Sequence, residues 1–457
     1  MESDTKKKLT LFALTWPIFI ELLLHMLMGN ADTLMLSQYS DDSVAAVGVS
    51  NQVLSLVIVM FGFVAVGTSI LVAQNIGAKK DLEAKEVAMV SLGANLIFGI
   101  ILSVAVVFLS KPLLLLMDIP AELLGEASTY LKIVGGMMFF QALFMTVGAV
   151  LRSNGFTRDA MYITIGANIL NVVGNYLFIF GPFGIPVLGV EGVAISTVVS
   201  RVVATIAAII LLFKRVEGPF PLSYLWKFPK KHIQNLLRIG LPSAGEQLSY
   251  NSSQIMITAF IAMLGTEAIT SKIYTQNIMV FIFVFSIAIA QGTQILIGHL
   301  VGAKKFEEAY SRCIKSLKMA IGLSILMAVI ATIFSKDLLS IFTSNEEIIE
   351  LGSMLILLTI VLEPGRSFNL VVISSLRAAG DVKYPVIVGV FSMWGVAVGL
   401  SYLLGIHFGL GLVGVWIAFI SDEWLRGLLM LRRWRSKVWL SKSFVEPKLS
   451  KMEVSNG

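Results

Sequence analysis

Long apolar runs, each closed by charged residues or by Gly and Pro, recur along the 457-residue chain at 9–36, 44–74, 87–110, 128–151, 160–181, 191–213, 239–263, 269–300, 316–335, 349–375, 385–405 and 412–431. A helix needs about 20 mainly apolar residues to cross a bilayer, so the pattern predicts twelve membrane-spanning helices with short connections. Composition agrees: 56% of the residues are hydrophobic and 14% are charged, against about 25% charged in soluble domains. A water-soluble globular fold is excluded. The first run directly follows MESDTKKK, is too long for a signal-peptide core and lacks an A-x-A cleavage site, so it is expected to stay as the first span.

The formal net charge is +6. A nucleic-acid partner would require basic residues gathered on one exposed face. Here 29 of the 35 Lys and Arg fall in alternate connections, in Lys6 to Lys8, Lys79 to Lys85, Arg152 and Arg158, Lys214 to Arg238, Lys304 to Lys318, Arg377 and Lys383, and from Arg426 onward. Positive charge near span ends accumulates on the cytoplasmic side. The asymmetry predicts a multi-pass cell-membrane protein with an even span count, both termini cytoplasmic, the lipid bilayer as its surroundings and no nucleic-acid partner. Cys313 is the single cysteine, so no intrachain disulfide forms.

A shift of 225 residues superimposes the chain on itself. It sets Pro17 on Pro242, Glu21 on Glu246, Gly67-Thr68 on Gly292-Thr293, the GAKK of 77–80 on that of 302–305, Lys111 on Lys336, Arg152 on Arg377 and Gly155 on Gly380. After the fifth span a three-residue gap pairs Gly189 with Gly411. The chain therefore divides into an N-terminal six-helix lobe at 1–213, a basic cytoplasmic linker at 214–238, a C-terminal six-helix lobe at 239–437 and a cytoplasmic tail at 438–457. Six spans per copy make the repeat parallel, a common transporter plan with the substrate near the midplane between lobes.

No G-x-x-x-x-G-K-[S/T] occurs and Gly is never followed by Lys, so this chain has no phosphate-cradling loop of that kind. No His/Cys group has metal-ligand spacing, so neither an enzyme nor a cofactor is expected.

Ionisable residues within spans are expensive and are usually functional. The acids there are Glu21, Asp32, Glu246, Glu363, Asp422 and Glu423 and the bases are Arg201, Lys272, Arg366 and Arg426. If all are charged, two negatives are in excess, a balance favouring cations. Glu21, His25 and Asp32 are spaced +4 and +7 and share one helix face. Asn168, Asn171 and Asn175 form a second polar stripe. A carboxylate facing amide oxygens suits a sodium ion at Asp32, Asn171 and Asn175, since hard cations prefer oxygen. It suits a proton equally, because burial disfavours a carboxylate's charge. A static interhelix hydrogen bond is the alternative for Asp32, where the functional reading is preferred because acids within spans are usually functional; for the Asn stripe the static account weighs about as much. His25 reads more simply as a satisfied polar residue than as a proton relay. Glu363 with Arg366, and Asp422 and Glu423 with Arg426, lie one helical turn apart and read most simply as structural ion pairs. Glu246 has no local partner and repeats Glu21. The 20 Met include candidates for an adaptable pocket lining.

The strings GNADTLMLSQYSDDSVAAVGVSNQ and VGTSILVAQNIGAKKDLEA resemble the opening two spans of the multidrug and toxic compound extrusion (MATE) family. LRSNGFTRDA, AISTVVSRVV, GTQILIGHLVGAKKFEEA and EPGRSFNLVVISSLRAAGDVKYP resemble later segments of that family, so the likeness covers nearly the whole chain. It implies an all-α protein of two six-helix bundles set in a V, which as a monomer exports amphipathic, often cationic small organic molecules in exchange for Na+ or H+. Asp32 matches the family's first-span ion-coupling aspartate, Pro17 the place where that helix bends, and Asn171 and Thr197 the lining of the first-lobe ion site. Asn175 departs, since many members carry aspartate there, which leaves the choice of ion open. Glu246, Glu363 and Arg366 resemble second-lobe charges of a subset of the family. With Glu21 and Lys272 they are candidates for substrate binding or a second-lobe ion site.

Two transporter plans and an embedded enzyme compete with this reading. A lipid-linked precursor flippase of the same superfamily needs a basic cavity, in which Arg201, Lys272 and Arg366 would be essential. A major-facilitator transporter is also 6+6, but its basic D-R-x-G-R-like turn is missing between spans two and three, where NIGAKKDLEA stands. An embedded enzyme would have to turn over without a gradient.

Overall fold

The computed structural model describes residues 9–445, which are helical with no strand among them. The Lys6 to Lys8 cluster and the end of the expected tail, 446–457, lie outside the described residues. The helices are α1 (Leu11–Ser37), α2 (Asp41–Gly77), α3 (Asp81–Leu116), α4 (Ala121–Gly136), α5 (Met138–Ser153), α6 (Thr157–Phe180), α7 (Gly189–Arg215), α8 (Lys230–Ala262), α9 (Thr266–Gly302), α10 (Phe306–Ile333), the short α11 (Ser335–Ser340), α12 (Glu346–Ala378), α13 (Lys383–Ser392) and α14 (Gly411–Arg435).

Among the described residues nine helices are long and apolar enough to span a bilayer, or ten if α4 and α5 count as one bent span. Of the remaining long helices, α14 fails on charge, with Asp422, Glu423 and Arg426 inside five residues, and α8 carries Glu246, Gln247, Asn251 and Gln254 along its length. Large apolar side chains such as Phe12, Phe108, Leu116 and Phe391 are more than 70% exposed. Water would penalise such surfaces and lipid does not, so the chain is a multi-pass membrane protein.

Two runs expected to be single helices depart from that form. The 128–151 run is broken at Met137, where α4 and α5 meet at 45°. Breaking a helix in lipid leaves backbone groups that must be met locally, and here Ser103 Oγ accepts from the Phe139 amide at 3.2 Å. The 385–405 run leaves α-helical form after Ser392 and continues as π-helical turns at Met393–Val398 and Ser401–His407.

The 225-residue shift is visible in the backbone. Lys79 (φ 58°) and Lys304 (φ 56°) both turn left-handed after their helices, as do Gly155 (φ 87°) and Gly380 (φ 97°), and, across the gap, Gly189 (φ 53°) and Gly411 (φ 59°) are left-handed at the first residue of theirs.

Contacts divide the chain into two compact units: Met1–Phe19, Ala73–Lys80 and Leu241–Gly457 in the first, Ile20–Val72 and Asp81–Gly240 in the second. Within α1 the division falls two residues after Pro17, although the helix is continuous through that proline. The second unit has a core of Leu54, Phe61, Leu131, Met138 and Val193, and one core of the first unit gathers Ile257, Ile261, Leu355, Val415 and Trp416.

Candidate functional site

In the second unit three helices bring four of the expected residues into one hydrogen-bonded chain. Asn175 Nδ2 on α6 donates to Asp32 Oδ1 on α1 at 2.6 Å and also meets Asn171 Oδ1 at 3.1 Å, one turn earlier on its own helix. Asn171 Nδ2 donates to Thr197 Oγ1 on α7 at 3.2 Å, and Thr197 in turn donates to the Val193 carbonyl at 2.9 Å. Asn171 and Asn175 are 1% and 0% exposed, while Asp32 is half-buried. The reach from α6 to α7 depends on small residues. A Cβ on Gly174 would lie 2.5 Å from Ser196 Oγ, and one on Gly192 2.3 Å from Phe178 Cβ. Asn175 Oδ1 is buried without a donor, so the chain ends in an unused oxygen beside the Asp32 carboxylate.

The rest of the stripe does other work. Asn168 Nδ2 donates to the Leu24 carbonyl at 3.2 Å, pinning α6 to the α1 backbone. His25 is exposed, with no hydrogen-bond partner among the described residues. Glu21, 11 residues and about 16 Å of helix from Asp32, pairs with Arg152 from the end of α5 at 2.8 Å.

In the first unit Glu246 pairs with Arg377 at the end of α12. The two pairs are related by the repeat, Glu21 to Glu246 and Arg152 to Arg377, and in each the partners are 131 residues apart. Each Glu also stands four residues after the proline of its helix, Pro17 or Pro242. Arg152 and Arg377 are thus functional neighbours that helix spacing alone missed. They also correct the charge count: two further cations meet the span acids, so the excess of two negatives disappears, and charge balance by itself does not select a cationic ligand.

The expected local pairs form as helix spacing predicts. Arg366 bonds Glu363 at 2.7 Å, and Arg426 meets Asp422 at 2.5 Å and Glu423 at 3.1 Å. Lys272 is buried and donates to Thr258 Oγ1 at 2.6 Å. Among the described residues neither Lys272 nor Arg201, whose Nη1 points at Met138 Sδ at 3.5 Å, is in a salt bridge.

Helices of membrane length that bury paired and unpaired charges between them are a plan common among transporters. The MatE family model matches residues 17–177 and 242–403, and the chain belongs to that family of membrane transporters. The two matched segments open on Pro17 and Pro242, the prolines paired by the 225-residue shift. The uncharacterized transporter YisQ of Bacillus subtilis (strain 168) is 54% identical over 442 residues, covering 97% of each chain. The probable multidrug resistance protein NorM of Thermotoga maritima is 29% identical over 95% of this chain and 93% of its own. Among solved structures, an outward-facing multidrug resistance MATE family transporter of the MOP superfamily superimposes with a TM-score of 0.86 at 23% identity, covering 95% of this chain and 96% of the other. A MATE crystal structure in the bent conformation gives the same TM-score at 22% identity, with the same coverage.

Proposed function

We propose that this transporter exports amphipathic, cationic organic compounds across the cell membrane in exchange for a sodium ion or a proton bound at Asp32. The observation that carries the reading is the Asp32–Asn175–Asn171–Thr197 chain, a half-buried carboxylate and an unused amide oxygen within a span. For sodium, Asp32, Asn171 and Asn175 supply the oxygens; for a proton, Asp32 is the acceptor and Asn175 its partner. Relatives named as probable multidrug resistance proteins support the substrate class. In this reading twelve spans form two parallel six-helix lobes, 1–213 and 239–437. The 214–238 linker, the 438–457 tail and both termini are cytoplasmic, and one chain works as a monomer. Ion uptake at Asp32 favours a different position of α1 about Pro17, so the ion acts through its unequal affinity for two states. Glu21 and Glu246 hold helices to Arg152 and Arg377, and Lys272, Glu363 and Arg366 are left to face the substrate or a second ion.

Cells expressing Asp32→Asn are expected to accumulate a fluorescent organic cation as fully as cells without the transporter, with the variant present in the membrane at the wild-type level. Accumulation as low as in wild-type cells contradicts the role of Asp32. Lys272, buried and with no carboxylate in a salt bridge to it among the described residues, favours a second reading, translocation of a lipid with an anionic headgroup. Vesicles that flip such a lipid but never move an organic cation would establish it.

A further inference from the structure

Lys272 is a buried cation of the first unit that the Asp32 chain does not use. It stands on α9, six residues after the helix begins at Thr266, and is 6% exposed. Its ammonium donates to Thr258 Oγ1 on α8 at 2.6 Å, and Thr258 Oγ1 in turn donates to the Gln254 carbonyl at 2.7 Å. Among the described residues no charged side chain acts on it. The surroundings are apolar. Ala268 and Met279, on the same face of α9 as Lys272, belong to one core cluster with Ile257 and Ile261 of α8, Leu355 of α12 and Trp416 of α14.

The polar groups here are short of acceptors, not of donors. An ammonium has three N–H groups, and one of them is used. Thr275, three residues further along α9, and Ser271, four before Thr275, are both 0% exposed, and neither hydroxyl has a partner. The indole Nε1 of Trp416, in the same cluster, is buried without a partner too, and an indole N–H can only donate. A neutral amine would offer a lone pair to one of the hydroxyls. The Thr258 proton goes to the backbone instead, and those of Thr275 and Ser271 reach no acceptor. A charge buried without compensation is costly, so a cation set among spare donors calls for a negative ligand.

We propose that Lys272, with the hydroxyls of Thr275 and Ser271 and the indole N–H of Trp416, binds one small monovalent anion such as chloride. One ammonium balances one negative charge, whereas a dianion such as sulfate leaves a second charge buried and uncompensated. A single-atom ion also needs only the space between packed side chains. Once bound, the ion ties α9 to α14 across an apolar cluster that has no other charge to join them. The inference deepens the second-lobe part of the proposed function, in which Lys272 faces the substrate or a second ion, and does not depend on Asp32.

The test is the melting temperature of the purified full-length protein in a neutral detergent, titrated with potassium chloride against potassium gluconate at constant ionic strength. Wild type should melt higher as chloride rises, and the rise should saturate, because the ion binds the folded state alone. Bromide should act in the same way. Lys272→Met should lose the shift and, in gluconate, melt at or above wild type, since the uncompensated buried charge is gone. Thr275→Val should raise the half-saturating chloride concentration about tenfold, the loss expected for one hydrogen bond to a charged group. Asp32→Asn should keep the wild-type shift. Thr275→Val decides the matter if Lys272→Met does not fold. Equal melting of wild type in the two salts, or a chloride shift that both second-lobe variants retain, overturns the proposal. So does a wild type that chloride leaves unchanged but phosphatidylglycerol stabilises through Lys272, which assigns the lysine to a lipid headgroup. A shift lost in Asp32→Asn and kept in Lys272→Met assigns the anion effect to the first site and overturns it as well.

Discussion

Gly302→Val is expected to abolish or severely reduce the yield of folded transporter, and Gly302→Ala to lower its melting temperature in detergent. A Cβ on Gly302 would lie 2.0 Å from the Gln74 carbonyl oxygen, and one on the repeat-related Gly77 2.1 Å from the His299 carbonyl oxygen. Gln74 and His299 are themselves paired by the 225-residue shift, so α2 and α9 cross where each offers a glycine to the other's backbone. The obstacle in both cases is main chain, which cannot rotate aside as a side chain can. Overpacking ordinarily costs about 1 to 3 kcal/mol, and a clash with two fixed backbones belongs at or above the top of that range. Gly322→Ala is the control: α10 has open space there, and replacing a helical glycine by alanine stabilises by up to about 1 kcal/mol. Equal melting temperatures for Gly302→Ala and Gly322→Ala would show that the crossing is looser than its glycines indicate.

Arg377→Gln is expected to destabilise the protein by about 3 to 5 kcal/mol, the usual cost of leaving one partner of a buried ion pair alone. Glu246 is 8% exposed, so water compensates little of the lost charge. Adding Glu246→Gln should recover most of the stability, because removal of both charges leaves nothing unpaired. The same cycle on Glu21 and Arg152 should give a smaller coupling, as the Glu21 side chain is 18% exposed against 11% for Glu246 while the two arginines are equally accessible. Denaturation midpoints for the two single variants and the double variant read these terms. Additive losses would mean that the two side chains do not act as a pair.

Spacing within one helix made part of the site legible. Glu363 and Arg366, and Asp422 and Arg426, stand three or four residues apart, and the helix brings them together whatever the rest of the fold does. Asp32, Asn175, Asn171 and Thr197 come from three helices. Polar stripes on two spans already set Asp32 with Asn171 and Asn175 as a candidate ion site, and the family likeness added Thr197. The Glu246 partner is 131 residues away and outside any local pattern. The signal was nevertheless in the sequence, since one shift pairs Glu21 with Glu246 and Arg152 with Arg377, and contacting positions in one copy should contact in the other. Helix breaks were illegible for a different reason. Hydropathy reports length and polarity, and neither changes at Met137 or Ser392, where the backbone departs from a straight α-helix while the side chains stay apolar. The polarity of α8 and α14 had the opposite effect: both read as apolar runs by eye, but their buried charges lower them below the other spans.

In the proposed cycle, ion binding at Asp32 drives export. The most direct measurement records substrate and ion flux together in proteoliposomes, with a sodium gradient and a pH gradient imposed separately. One gradient is expected to drive a fluorescent organic cation uphill, with the same ion moving in the opposite direction in proportion to substrate, and Asp32→Asn is expected to lose both fluxes together. Uphill transport that persists in Asp32→Asn, or substrate movement with no accompanying sodium or proton flux, would contradict it.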